Sequence, residues 1–201
     1  RMGRSLLELG GNNAMIVAPS ADLDMAVRAI VFGAVGTAGQ RCTSTRRIIV
    51  HESIKKTLSD RLVAAYKQVK IGSPLAEGTL MGPLIDGEAV VRYRSALDVV
   101  RQAGGEVLCG GQVLSRPGYF VEPTIVRAQN HWEIVQQETF APILYVMPYS
   151  ELLDAIDLNN AVAQGHATTL FSDSLREAEW LLGAAGADTG VVNINHGIGW
   201  A

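Results

Sequence analysis

The chain has 201 residues, of which 48% are hydrophobic and 18% charged, and its formal net charge is −3. That length suits one well-cored domain or at most two small ones. The slightly acidic balance gives no basic footprint for nucleic acid, and the absence of an apolar run of about 18 residues predicts no membrane partner. Two cysteines are too few for a disulfide framework and are typical of a reducing compartment such as the cytoplasm.

In the first half of the chain, short apolar runs alternate with longer amphipathic stretches. The runs Ala14–Val17 and Arg46–Val50 predict buried strands. Three amphipathic stretches predict helices capped at their starts by polar side chains, namely Asp22, Ser53 and Asp86. The first of these helices is predicted to bury Met25, Val27, Ile30, Val31 and Val35. Leu6-Leu7, ahead of the first strand, are also predicted to be buried.

The second half repeats the alternation. A short strand before Cys109 is followed by four strand-like segments, at Phe120–Val126, Ile143–Met147, Thr168–Phe171 and Gly190–Ile194. Helices are predicted near Ser150–Ala163 and from Ser174 to Gly183, the latter anchored by Trp180 and Leu181. Strands that alternate with helices predict an α/β fold with a mostly parallel sheet and helices on both faces.

Cys42, in Gly39-Gln40-Arg41-Cys42-Thr43, is a candidate thiol nucleophile. The small residues before it let the backbone approach a ligand closely. The N–H groups of Cys42 and Thr43 are candidate oxyanion donors, and Arg41 could favour the thiolate. An inert, buried cysteine at a helix–strand turn is an equally good interpretation of this segment.

Glu8 comes thirty-odd residues earlier, in Glu8-Leu9-Gly10-Gly11. A carboxylate among leucines is either a base in a pocket that raises its pKa or a solvated residue of an amphipathic strand. The glycines that follow form neither a dinucleotide fingerprint nor a Walker loop, so they indicate phosphate binding only weakly.

The third segment of interest is Glu138-Thr139-Phe140-Ala141-Pro142. Its acid could hold ribose hydroxyls and its aromatic ring could face a flat cofactor, although a loop that simply enters the next strand would look the same. The four histidines have no metal-ligand spacing against the cysteines, so no metal site is predicted.

Taken in order, these three segments resemble those of the aldehyde dehydrogenase superfamily. Within it, Leu7–Ala14 and Ala34–Thr43 look like the α-aminoadipic semialdehyde dehydrogenase (antiquitin) branch, as do Val121–Val126 and Glu138–Tyr145. The resemblance runs from residue 1 to about Asn195 and implies a Rossmann-like catalytic domain.

The resemblance implies a role for each candidate residue. Cys42 would attack an aldehyde, giving a thiohemiacetal and then a thioester, and Glu8 would activate the water that hydrolyses it. Glu138 would bind the nicotinamide ribose of NAD, with NADP not excluded, while Phe140 and Gly10 would lie beside the cofactor. Arg41 and Thr43 would contact the substrate, a small-molecule aldehyde such as a semialdehyde of lysine breakdown.

The resemblance also sets expectations about the parent protein. Residues 1–201 correspond to the catalytic domain, and the start at Arg1 reads as the interior of a longer chain whose coenzyme-binding domain and oligomerisation strand lie elsewhere. The parent would be a homo-oligomer, and the isolated piece would be inactive. His196–Ala201 departs from the glycine-rich substrate loop expected there. A non-catalytic domain that keeps the fold for assembly is the alternative.

Overall fold

A seven-stranded sheet forms the centre of the structure, a computed structural model that describes residues 3–198. The expectations about Arg1 and about residues 199–201 lie outside these described residues. The strands are β1 Ala14–Val17, β2 Arg47–His51, β3 Glu106–Cys109, β4 Thr124–Arg127, β5 Ile143–Tyr149, β6 Ala167–Phe171 and β7 Val191–Ile194. Their order is β3-β4-β5-β2-β1-β6-β7, and every neighbouring pair except β3 with β4 is parallel. The predicted α/β class is confirmed.

Six α-helices connect and cover these strands within residues 3–198: α1 Leu23–Val35, α2 Lys55–Tyr66, α3 Gly87–Gln102, α4 Glu133–Gln136, α5 Leu152–Asn160 and α6 Leu175–Leu182. Asp22 and Asp86 cap α1 and α3 as predicted, because their carboxylates accept from backbone N–H groups of the first turn. The prediction for Ser53 is wrong. Its hydroxyl bonds Nδ1 of His51 at 2.7 Å instead, and α2 begins after Ile54 without a side-chain cap.

The predicted strand Phe120–Val126 is too long at its start, since β4 begins only at Thr124. Pro123 has no N–H to donate to a sheet ladder, which accounts for the late start. Before it, Val121 makes only an isolated bridge with Val113.

Four apolar side chains predicted to be buried are exposed. Leu6 and Leu7 are 86% and 72% exposed, in a segment without regular secondary structure. Trp180 of α6 is 50% exposed, whereas Leu181 beside it is buried as predicted. Met25 is also exposed, on the first turn of α1. The pattern of apolar residues therefore identified the secondary-structure elements but overestimated how many of their apolar side chains are buried.

Four parallel strands, β5-β2-β1-β6, place their amino ends side by side. Ala14 at the start of β1 pairs with Arg47 at the start of β2, and Arg47 pairs with Tyr145 of β5. On the other side Ala14 pairs with Thr168 of β6. The segments that lead into these strands must therefore meet at the amino-terminal edge of the sheet, which these strand ends form.

None of the helices within residues 3–198 is long and apolar enough to cross a membrane.

Candidate active site

Cys42 lies in a tight turn at this edge and is exposed. The turn is closed by Ser44, whose N–H donates to the Arg41 carbonyl oxygen at 3.1 Å. The Ser44 hydroxyl also accepts from the Arg41 N–H at 3.0 Å. The interpretation of Cys42 as an inert buried residue is thus not supported, because its thiol is open to solvent and to reagents.

Left-handed backbone leads into the nucleophile turn, defined here as Arg41–Ser44. Thr37 and Ala38 have φ of 55° and 53°, and Gly39 has φ of 70°. Residues other than glycine adopt this backbone region at a cost in free energy, and such strain clusters at functional sites. A Cβ on Gly39 would also lie 2.4 Å from the carbonyl oxygen of Ala141. The close approach of these two backbones explains why small residues precede Cys42.

The side chain of Asn13 holds the nucleophile turn in place by hydrogen bonds. Its Nδ2 donates to the carbonyl oxygens of Cys42 at 2.7 Å and of Ser44 at 2.9 Å. Its Oδ1 accepts from the N–H of Ala167 at 2.9 Å. This buried amide joins β1, the turn and β6, and the sequence analysis missed it. Two consecutive asparagines directly before a buried strand were the available signal.

Arg46 was also missed, and it ties the turn to the third motif. Its Nη2 pairs with Oε1 of Glu138 at 2.7 Å, with the arginine side chain 4% exposed and the glutamate 27% exposed. Burial lowers the pKa of Arg46, and the charge and hydrogen bond of Glu138 oppose that shift. The guanidinium carbon lies 5.3 Å from the ring centroid of Phe140, whose φ of 56° is again left-handed.

Gly10 brings the second motif to the same place. A Cβ on Gly10 would lie 2.1 Å from Oε2 of Glu138, so only glycine lets the carboxylate take this position. Gly11 is equally constrained, because its Cβ would lie 2.6 Å from Cβ of His166. The structure therefore brings together parts of all three predicted motifs.

The remaining predicted residues occupy different settings. Glu8 is exposed in the irregular segment before Gly10, with no hydrogen bond or ion pair to any of residues 3–198. Thr43 lies within the nucleophile turn and is buried. Arg41 is half-buried and lies 5.8 Å from the ring centroid of Phe32.

A large cavity lies elsewhere in the described part of the molecule. It has a volume of about 760 Å³ and lies at the carboxyl end of β4, lined among others by Arg127, Trp132 and Met147. None of the predicted site residues lines it. Chemistry needs reactive groups as well as space, so the solvent-exposed turn is the better candidate site. No cluster of His, Cys, Asp and Glu within residues 3–198 has the composition of a metal site.

Known proteins place this arrangement in a family. The aldehyde dehydrogenase family model matches residues 1–200, so the chain belongs to that family. Aldehyde dehydrogenase family 7 member A1 of Pisum sativum is 48% identical over 97% of this chain. Alpha-aminoadipic semialdehyde dehydrogenase of Mus musculus is 46% identical, also over 97%. The chain spans 38% of the length of the first relative and 36% of the second.

Solved structures agree with this assignment. Betaine aldehyde dehydrogenase from Staphylococcus aureus, crystallised with NAD+, matches 94% of this chain with a TM-score of 0.89 and 33% identity. The chain covers 38% of that structure. A 1-pyrroline-5-carboxylate dehydrogenase from Thermus with bound NAD gives a TM-score of 0.91 at 27% identity, over 96% of this chain and 37% of that one.

Proposed function

We propose that residues 1–201 are the catalytic domain of an NAD-dependent aldehyde dehydrogenase that oxidises a semialdehyde to a carboxylic acid. The observation that carries this proposal is the exposed Cys42 in a turn on which the Gly10 and Glu138 segments converge. Relatives named for α-aminoadipic semialdehyde support the substrate class, and solved relatives with NAD+ support the cofactor.

In this mechanism the Cys42 thiolate adds to the aldehyde carbon and forms a thiohemiacetal. Within residues 3–198 nothing accepts a hydrogen bond from the Cys42 N–H, which leaves that group available to the developing oxyanion. NAD, held by Glu138 and Phe140, would supply the hydride acceptor. As the oxyanion re-forms the carbonyl, the adduct carbon would lose its hydride, which leaves a thioester on Cys42.

Hydrolysis of the thioester needs a base. Glu8 takes a proton from water, the resulting hydroxide attacks the thioester carbonyl, and the Cys42 thiolate leaves with release of the acid. Glu8 is exposed in this chain, so its approach to Cys42 in the whole protein is part of the proposal. Arg41 and Thr43, on either side of the nucleophile, are the proposed substrate contacts.

The cofactor fits the residues at the site. Oε1 of Glu138 is engaged by Arg46, whereas Oε2 accepts no hydrogen bond from any of residues 3–198 and faces the bare Cα of Gly10. That oxygen can accept from a ribose hydroxyl. Phe140 is 38% exposed beside it and offers an apolar surface to the nicotinamide. NADP remains compatible with these residues, since none of them reads the adenosine ribose.

The test uses the whole protein that contains this chain, a semialdehyde and NAD. Cys42→Ala is expected to lower turnover by about 10³-fold or more, because no other thiol lies in the turn. Glu8→Gln is expected to trap the acyl thioester on Cys42, seen as added mass on that residue. Cys109→Ala is the matched control and should retain activity. Wild-type turnover by Cys42→Ala would refute the cysteine mechanism.

A further inference from the structure

Arg46 donates hydrogen bonds to three backbone carbonyl groups of the candidate site. Its Nε donates to the carbonyl oxygen of Gly11 at 3.3 Å, and its Nη1 donates to that of Gly39 at 3.2 Å. Its Nη2 donates to the carbonyl oxygen of Arg41 at 3.1 Å. One buried guanidinium therefore holds the segment before β1 at Gly11, the approach to the nucleophile turn at Gly39, and the start of that turn at Arg41.

The same Nη2 forms the ion pair with Oε1 of Glu138, and the guanidinium lies over the Phe140 ring. The Glu138 carboxylate is consequently held between two restraints. Arg46 fixes Oε1 by a charge-assisted hydrogen bond, and the bare Cα of Gly10 bounds Oε2 on the other side. Of the two carboxylate oxygens, Oε2 is the one left for a ligand.

We propose that Arg46 is a positioning residue that sets the Cys42 turn and the Glu138 carboxylate relative to each other, presenting Oε2 of Glu138 to a ribose hydroxyl. This inference rests on the proposed dehydrogenase function. Its physical basis is the planar guanidinium, which offers donors in a fixed fork and can serve three carbonyls and a carboxylate at once. A lysine ammonium keeps the charge but cannot reproduce that geometry.

The competing explanation is that Arg46 merely supports the fold, and Arg47 provides the comparison. Arg47 is the adjacent arginine, is fully buried, and within residues 3–198 its side chain donates only to neutral oxygens. If Arg46 were simply structural, then substitutions of Arg46 and Arg47 that cost equal stability would have equal effects on cofactor binding and on the reactivity of Cys42.

The experiment compares Arg46→Lys, Arg46→Met and Arg47→Lys in the whole protein. We measure the urea midpoint, the dissociation constant of NAD, and the rate of Cys42 alkylation by iodoacetamide without cofactor. Both Arg46 variants are expected to weaken NAD binding about tenfold, the effect of losing one charge-assisted hydrogen bond. They should also change the Cys42 alkylation rate, whereas Arg47→Lys should lower the midpoint and leave the other two values unchanged.

Glu138→Gln examines the pair from the other side and keeps the shape of the side chain. It should weaken NAD binding, and combining it with Arg46→Met should cost less than the two single effects together, since both remove one interaction. Normal NAD binding and alkylation in the Arg46 variants, or equal losses in Arg47→Lys, would overturn the proposal.

The readouts separate this inference from the proposed function. If the wild-type protein neither binds NAD nor oxidises aldehydes, the proposed function fails. The part of the inference that concerns the Cys42 turn is still decided, because the alkylation rate needs no cofactor. A wild-type protein that is active while its Arg46 variants are unaffected overturns the positioning role alone.

Discussion

Two adjacent arginines serve two different regions of this molecule. Arg46 lies at the amino edge of the sheet, pairs with Glu138 and holds the backbone around Cys42. Arg47, the first residue of β2, enters a region of neutral acceptors, namely the carbonyl oxygens of Asn12, Leu158 and Asn159 and the amide oxygen of Asn130. Successive side chains of an extended chain point to opposite sides, so neighbours in sequence become members of different structures.

The partners of the two arginines explain why only Arg46 belongs to the candidate site. Within residues 3–198 no carboxylate pairs with Arg47, and burial lowers its pKa to about 10. Arg46 is nearly as buried but has a carboxylate that is partly open to solvent. A buried charged side chain can affect ligand binding when its partner is accessible from the surface. One whose partners are all buried neutral oxygens contributes only to the stability of the fold.

The largest expected effect separates the scaffold from the site. Arg47→Ala should lower the free energy of unfolding by about 3 kcal/mol, because several buried oxygens lose their donor while relief of the buried charge offsets part of that loss. Urea unfolding measures this free energy, and the value for Arg47→Lys should lie between those of the wild type and Arg47→Ala. A loss below about 1 kcal/mol would mean that water replaces the guanidinium and the scaffold role is wrong.

An intermediate effect is expected where the site depends on bare backbone. Gly39→Ala should cost about 2–3 kcal/mol, because the left-handed φ is unfavourable for alanine and its Cβ would collide with the Ala141 carbonyl. Gly36→Ala is the matched control, since a Cβ there meets nothing within 4 Å and φ is −54°. It should stay within about 0.5 kcal/mol of the wild type. Equal costs would show that the contact with Ala141 is not a constraint.

The smallest change leaves the fold intact and asks only how open the site is. Iodoacetamide should alkylate exposed Cys42 about tenfold faster than half-buried Cys109 at neutral pH, followed by peptide mass spectrometry. Burial raises the pKa of Cys109, so its neutral thiol is favoured in the folded protein. The alkylation rate of Cys109 should therefore keep increasing as the pH rises above the pKa of an unperturbed thiol. The stability that the raised pKa contributes to the folded protein is lost as the pH passes that raised value. Equal rates at neutral pH would contradict this difference in access.

Much of the fold could be read from local patterns. Ala14–Val17 and Ile143–Met147 are compact apolar runs, and the structure has strands at both places. Caps at Asp22 and Asp86 follow from short-range hydrogen bonding. Ser53 was misjudged because a nearby histidine competes for its hydroxyl, and the exposure of Trp180 depends on what packs against α6, which local sequence does not contain.

The family of this protein follows from the sequence alone, because the order and identity of the Glu8, Cys42 and Glu138 segments point to it. The connection of those segments by Asn13 and Arg46 is visible only in the folded chain. Their contacts connect residues 29 to 154 positions apart for Asn13, and up to 92 for Arg46. Parallel pairing of β5, β2, β1 and β6 creates these contacts by aligning the strand starts, and no local periodicity encodes that alignment.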